Sequence, residues 1–138
     1  MPTLTGSRAT RTLTLCVLYA AQGMPYGFVT VALVSYLVGK GAEAAEIAEI
    51  NAWLILPWTF KAFWGPVIDR FTMRSMGRRR PWILFAQLAL SATLLAMILI
   101  RDLTAEMETL YWMVFVHNCF VSLQDVASDA LAVDVLLD

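Results

Sequence analysis

Apolar residues run almost unbroken through four stretches of this chain, 13–38, 47–68, 82–100 and 110–133, and polar residues gather in the joints between them. Crossing lipid as a helix takes about 20 mostly apolar residues, because every backbone N–H and C=O must find its partner inside the segment. All four stretches are long enough. The joints "GKGAEAAE", "DRFTMRSMGRRRP" and "RDLTAEMET" are short, so consecutive helices must run antiparallel. The pattern predicts an all-α membrane protein of four transmembrane helices, a single unit over 1–138 with no soluble domain and with the lipid bilayer as its first partner.

Composition agrees with the pattern. Of 138 residues, 59% are hydrophobic and 15% charged, and the mean hydropathy is +0.67, more apolar and less charged than a soluble domain. The opening "MPTLTGSRATR" resembles the charged start of a secretory signal. It is followed by 26 uncharged residues, 13–38, without a small-residue cleavage site, which predicts a retained spanning helix. Cys16 and Cys119 each sit inside an apolar run and read as small buried or lipid-facing residues.

Charge placement predicts orientation. Cytoplasmic loops collect Lys and Arg. Arg8 and Arg11 lie in the N-terminal tail, and Arg70, Arg74, Arg78, Arg79 and Arg80 stand against Asp69 in the loop 69–81. The other joints are acidic on balance, Lys40 against Glu43, Glu46 and Glu49, then Arg101 against Asp102, Glu106 and Glu108. Loop 69–81 and both termini are therefore expected in the cytoplasm. Nothing in this pattern points to nucleic acid.

Polar residues inside the spans carry the candidate chemistry. In the fourth stretch Asn118, Ser122, Asp125 and Asp129 follow one another at spacings of 4, 3 and 4, which places them on one helix face. His117, Gln124 and Ser128 fall on the flank of that face. Asp134 points roughly opposite Asp125, and Asp129 and Asp134 are expected to approach the arginine-rich end. In the second stretch Lys61 stands alone, about 14 residues or about 21 Å from the outer end, and Asp125 is about as deep in its own helix. A lone ion at that depth costs several kcal/mol and usually pairs or lines a watery path. The matched depths predict that Lys61 faces Asp125 across a shared cavity; the alternative is that Lys61 snorkels toward Asp69.

The first stretch contains "YAAQGMPYGF". Tyr19, Gln22, Tyr26 and Thr30 share a face, and Gly23 with Gly27 forms G-x-x-x-G. The glycines read either as a close helix contact or, with Pro25, as a bend beside a substrate path. His117 reads either as a proton carrier or as a hydrogen-bonded residue near a helix end.

The loop "GPVIDRFTMRSMGRRRPW" is G-x-x-x-D-R followed, after six residues, by G-R-R-R. It resembles the loop between the second and third helices of the major facilitator superfamily, with a longer insert. That insert, the preceding "FKAFWGP" and the later "QDVASDALAVD" together resemble the AmpG-like permeases, the group that includes muropeptide permeases and acetyl-coenzyme A transporters. The likeness runs from "LYAAQGMPYG" to "QDVASDALAVD".

The resemblance implies the first part of a major facilitator N-terminal six-helix bundle and a secondary transporter of the bacterial inner membrane that is not an enzyme. In the muropeptide branch it implies proton-coupled import of anhydro-muropeptides, a small-molecule solute. Gly65, Asp69, Arg70, Gly77, Arg78 and Arg79 match the loop motif, with Arg80 extending it; Lys61 matches the lysine of the second helix, and Gln124, Asp125, Asp129 and Asp134 the carboxylate motif of the fourth. The basic residue of the muropeptide branch between the last two aspartates is replaced by "ALAV". Asp69 and the arginines can cap helix ends and bridge to a neighbouring bundle, or they can answer only to the positive-inside rule and contact anionic lipid.

The resulting substrate and coupling path is Gln22, Tyr26, Lys61, Asn118, Gln124, Asp125 and Asp129, with no cofactor and no metal. Transporters of this kind are built from two six-helix halves, so four helices are expected to be a truncated or partial chain that works with the remaining helices or with another copy. Two other readings stand beside it. One is a non-transporting assembly or regulatory fragment. The other is an intramembrane transferase in which Asp125 and Asp129 hold Mg²⁺ for a diphosphate substrate; such sites normally need a second acidic pair, and no other span has one.

Overall fold

The computed structural model describes residues 7–71, 76–100 and 102–136. Arg74 and Arg101, which entered the charge balance, lie outside them.

Helix α1 (Arg8–Gly27) contains Pro25. Proline has no N–H to donate and its ring crowds the preceding turn, and the ladder directly after it widens into a π-helical turn, Phe28–Ala32, before α2 (Leu33–Gly39) resumes. The first apolar stretch is thus one irregular rod with its disturbance just after the proline, as the bend reading of "GMPYG" expects. A Cβ added at Gly23 or Gly27 meets nothing within 4 Å. The close-contact reading of G-x-x-x-G therefore finds no neighbour among the described residues.

Helix α3 (Ala44–Thr59) starts with a capping box in which Glu43 and Glu46 each accept the other's backbone N–H. It carries Pro57 in its last turn and stops at Phe60, whose φ of −97° and ψ of 4° leave the helical region. A 3₁₀ turn, Lys61–Phe63, leads into α4 (Trp64–Arg70). The second apolar stretch is therefore two helices joined at Lys61, not one.

Helix α5 (Arg80–Met97) begins with proline in its first turn. Helix α6 (Met107–Leu136) has 30 residues, about 45 Å at 1.5 Å per residue. Between them Asp102 accepts the backbone N–H groups of Thr104 and Ala105 and the Thr104 hydroxyl. The Thr104 hydroxyl, then the N–H groups of Ala105 and Thr104, hold the Asp102 carboxyl below its ordinary pKa. Two segments, Arg8–Gly39 and Arg80–Met97, are long and apolar enough to cross a membrane by length and composition.

Helix α6 is the centre of the fold and packs against α5, α3 and α1. Its residues Met107, Leu110, Tyr111 and Val114 join Val29, Leu33, Leu37, Ile50, Leu54, Met97 and Ile100 in one apolar cluster. Leu123 and Ala127 join Ile68, Ile83 and Ala86 in a second. Polar side chains occupy the length of α6 between these anchors. In lipid an apolar face gains little by turning inward, so helix contacts rest on close packing and on polar groups that find partners.

The two glycines of the loop motif differ. Gly77 has φ +82°, whereas Gly65 is helical and a Cβ there meets nothing within 4 Å. Gly77→Ala is expected to cost roughly 1–2 kcal/mol, because an L side chain crowds its own backbone in the left-handed region. Gly65→Ala should be neutral or slightly stabilising. Thermal unfolding of the two variants in detergent checks the contrast; equal midpoints would show that the turn at Gly77 is dispensable.

Candidate functional site

The break in the second stretch positions Lys61. As the first residue of the 3₁₀ turn it stands between α3 and α4, and its ammonium forms an ion pair with Asp125 of α6. Asp129, one turn further along α6, has its Oδ2 3.8 Å from the same Nζ. Helix α1 closes the cluster: Gln22 Nε2 donates to Asp125 Oδ1 at 2.5 Å, and the Tyr19 hydroxyl donates to Asp129 Oδ1 at 2.7 Å. Lys61 Nζ also lies 5.5 Å from the centre of the Trp58 ring, against which Tyr26 packs edge-on at 5.7 Å. One ammonium thus faces two carboxylates and an aromatic wall. The Asp125 side chain is 13% exposed, that of Lys61 36% and that of Asp129 50%, so the cluster grades from a sealed end to an open one. Snorkelling of Lys61 toward Asp69 is not what the structure shows.

A cavity of about 340 Å³ opens beside this wall, lined by Tyr26, Thr30, Asn51, Leu54, Ile55 and Trp58. Gln22, Tyr26, Lys61, Asp125 and Asp129, five of the seven expected path residues, are therefore brought together. The other two are not. Asn118 is fully buried and donates to Val114 O of its own helix. Gln124 is fully buried, and neither atom of its amide has a partner among the described residues; as the residue before Asp125 it is turned about 100° away around α6. His117 is also fully buried, with Nδ1 2.7 Å from Thr93 Oγ1 of α5, so the hydrogen-bonded reading is the one observed. Each buried polar atom without a partner costs about 1–3 kcal/mol, and His117 Nε2, both amide atoms of Gln124 and Ser128 Oγ are all in that state.

A second charged cluster ties the arginine loop to the end of α6. Arg79, its side chain 13% exposed, reaches Asp69 Oδ1 with Nη1 at 2.5 Å and Asp134 Oδ2 with Nε at 3.1 Å. Arg78 Nε is 3.9 Å from Asp69. Trp82 Nε1 donates to Phe71 O, and Arg11 Nη1 to Val135 O. Arg70 and Arg80 form no ion pair among the described residues. Asp134 meets the arginine loop as expected, but Asp129 does not; it is held by Tyr19 of α1 and by Lys61 instead.

Two participants, Trp58 and Trp64, were not picked out from the sequence. Trp58 carried no motif to mark it, although its place three residues before Lys61 is a helical spacing that could have done so. Trp64 donates to Ser122 Oγ at 2.9 Å, fastening α4 to α6. Asp125 and Asp129 are already engaged by an ammonium, an amide N–H and a phenol, a donor set opposite to the oxygen ligands Mg²⁺ takes.

The chain is 28% identical over 130 residues to an uncharacterized protein of Haemophilus influenzae, covering 94% of this chain and 30% of that one. It is 30% identical over 130 residues to the anhydromuropeptide permease of Escherichia coli, covering 91% and 25%. It is 25% identical over 127 residues to putative transporter AmpG 4 of Rickettsia conorii, covering 90% and 30%. The chain thus spans about a third or less of the length of these relatives. No solved structure gives a significant match. The profile of the BT1 family, which is related to the major facilitators, matches residues 22–137, a range that holds Gln22, Lys61, both carboxylates of the cluster and the whole arginine loop. With most of its length inside that match, the chain belongs to the BT1 family.

Proposed function

We propose that this chain forms four transmembrane helices at the start of a major-facilitator-type permease, in the bacterial inner membrane with both termini cytoplasmic, and that it takes part in proton-coupled import of anhydro-muropeptides. The observation that carries the reading is the Lys61–Asp125 ion pair between helices of the bundle. Ions in such surroundings are kept where a solute or proton path needs them. Gln22, Tyr26, Lys61, Asp125 and Asp129 line that path, with Trp58 as its wall. A solute carboxylate that approaches Lys61 competes with Asp129, 3.8 Å away and half-exposed, while Asp125 keeps its contact. The proton completes the exchange by neutralising the carboxylate that loses its cation. The relative named a permease of anhydro-muropeptides supports this solute class. The Asp69–Arg79–Asp134 bridge serves as the cytoplasmic latch, released when one of its charges changes partner.

The test is uptake of radiolabelled anhydro-muropeptide by cells without an endogenous permease. The chain is expressed alone and with the C-terminal portion of the Escherichia coli relative, and insertion is verified by membrane fractionation. Uptake that a protonophore stops is expected in at least one arm. Absence of flux from both arms, with the protein inserted, overturns transport in favour of an assembly role.

A further inference from the structure

Helix α6 carries a second polar column, apart from the Lys61 cluster. His117, Gln124 and Ser128 are spaced by 7 and 4 residues, which stacks them within about 60° of one another and roughly 80° around the helix from Asp125. They extend over about 16 Å of the helix. All three side chains are fully buried, and each has at least one polar atom without a hydrogen-bond partner among the described residues. Such a column is out of place in this packing. The residues on the neighbouring face, Leu123 and Ala127, are equally buried and lie in an apolar cluster with Ile83 and Ala86 of α5, and apolar side chains would serve the column equally well if this packing were the only one. At its outer end His117 bonds Thr93, and Thr93 also lines an open pocket of about 390 Å³ on the α5–α6 seam, with Ala96, Thr109, Trp112, Met113 and Val116. At its other end the same helix face carries Val135, whose carbonyl accepts a hydrogen bond from Arg11 of α1.

We propose that the α5–α6 seam opens to water through the Thr93 pocket, and that His117, Gln124 and Ser128 line a hydrated file along α6 distinct from the Lys61 path. Water is the ligand that fits: one molecule donates and accepts, as the paired orphan donor and acceptor of the Gln124 amide require. In the closed packing the unpartnered atoms are sealed, so hydration requires α5 to move off α6. The Thr93–His117 bond is the contact that parts first. The inference is independent of what the protein transports.

The test uses single cysteines at 117, 124, 128, 123 and 127 in a Cys16→Ser/Cys119→Ser background, with the protein in lipid vesicles. Cysteines replacing His117, Gln124 and Ser128 are expected to react with a small methanethiosulfonate at least tenfold faster than those replacing Leu123 and Ala127. Equal protection at all five positions overturns the file. Because a substituted α6 can fail to fold, water-edited solid-state NMR of the unsubstituted protein in lipid decides separately. Polarisation passing from water to the His117 ring and Gln124 amide nitrogens within milliseconds supports the file, and its absence overturns it.

Discussion

If the proposed transport role holds, Lys61→Ala is expected to abolish solute binding and flux while the protein still inserts, and to lower its stability by roughly 1–3 kcal/mol. Removing one partner of a fully buried ion pair typically costs about 3–5 kcal/mol; here the Lys61 side chain is 36% exposed, and the cost falls accordingly. The substitution leaves Asp125 with only Gln22 and deprives Asp129 of its nearest cation. A double-mutant cycle separates stability from function. Asp125→Asn alone should also destabilise, whereas Lys61→Ala with Asp125→Asn should recover most of the loss, since no uncompensated charge remains between the two. Flux should stay absent in the double variant. Quenching of Trp58 fluorescence, read in a variant whose other tryptophans are replaced by phenylalanine, reports solute binding beside Lys61. Unchanged uptake by the Lys61→Ala protein would remove this residue from the path.

Arg79→Ala is expected to be the most damaging substitution in the arginine loop, at roughly 1–3 kcal/mol, with Arg78→Ala near zero. Hydrogen bonds to charged groups contribute about 1.5–3 kcal/mol each, and solvent at the half-exposed Asp69 and Asp134 screens part of that. Arg78 only approaches Asp69 at 3.9 Å. Arg79→Lys should not restore the loss, because a single ammonium cannot present the two directed N–H groups that meet two separate acids. Thermal midpoints in detergent give the comparison. If Arg78→Ala and Arg79→Ala shift the midpoint alike, the loop acts through its summed positive charge on orientation and lipid, and the bridge to Asp134 carries nothing specific.

What could be read along the chain follows from the fixed geometry of the helix. Apolar runs of about 20 residues mark where helical segments must be, and the observed helices lie along those runs, the first interrupted by a π-helical turn and the second broken at Phe60. A rise of 1.5 Å per residue converts position into depth, which is why Lys61 and Asp125 could be matched before any fold was known. The break at Phe60 was within reach of the same reasoning, since Pro57 carries a local instruction to stop, as Pro25 does in the first helix. Asp134 meeting the arginine loop followed from its place near the helix end.

The azimuth of each side chain relative to its neighbours was not legible. Asp129 could have turned to the arginines or to α1; α1 lies against that face, and Tyr19 holds it. Gln124 adjoins Asp125 in sequence yet is sealed in another column, and the partnership of His117 with Thr93 joins residues on different helices. The sequence by itself determined where the helical segments lie and the order of the polar groups along them, because backbone satisfaction in lipid is settled within a segment. Only the tertiary structure decided which polar groups meet. Apolar faces are nearly equivalent in lipid, so the rotation of one helix against another is chosen by packing and by the few polar contacts that can all be made at once.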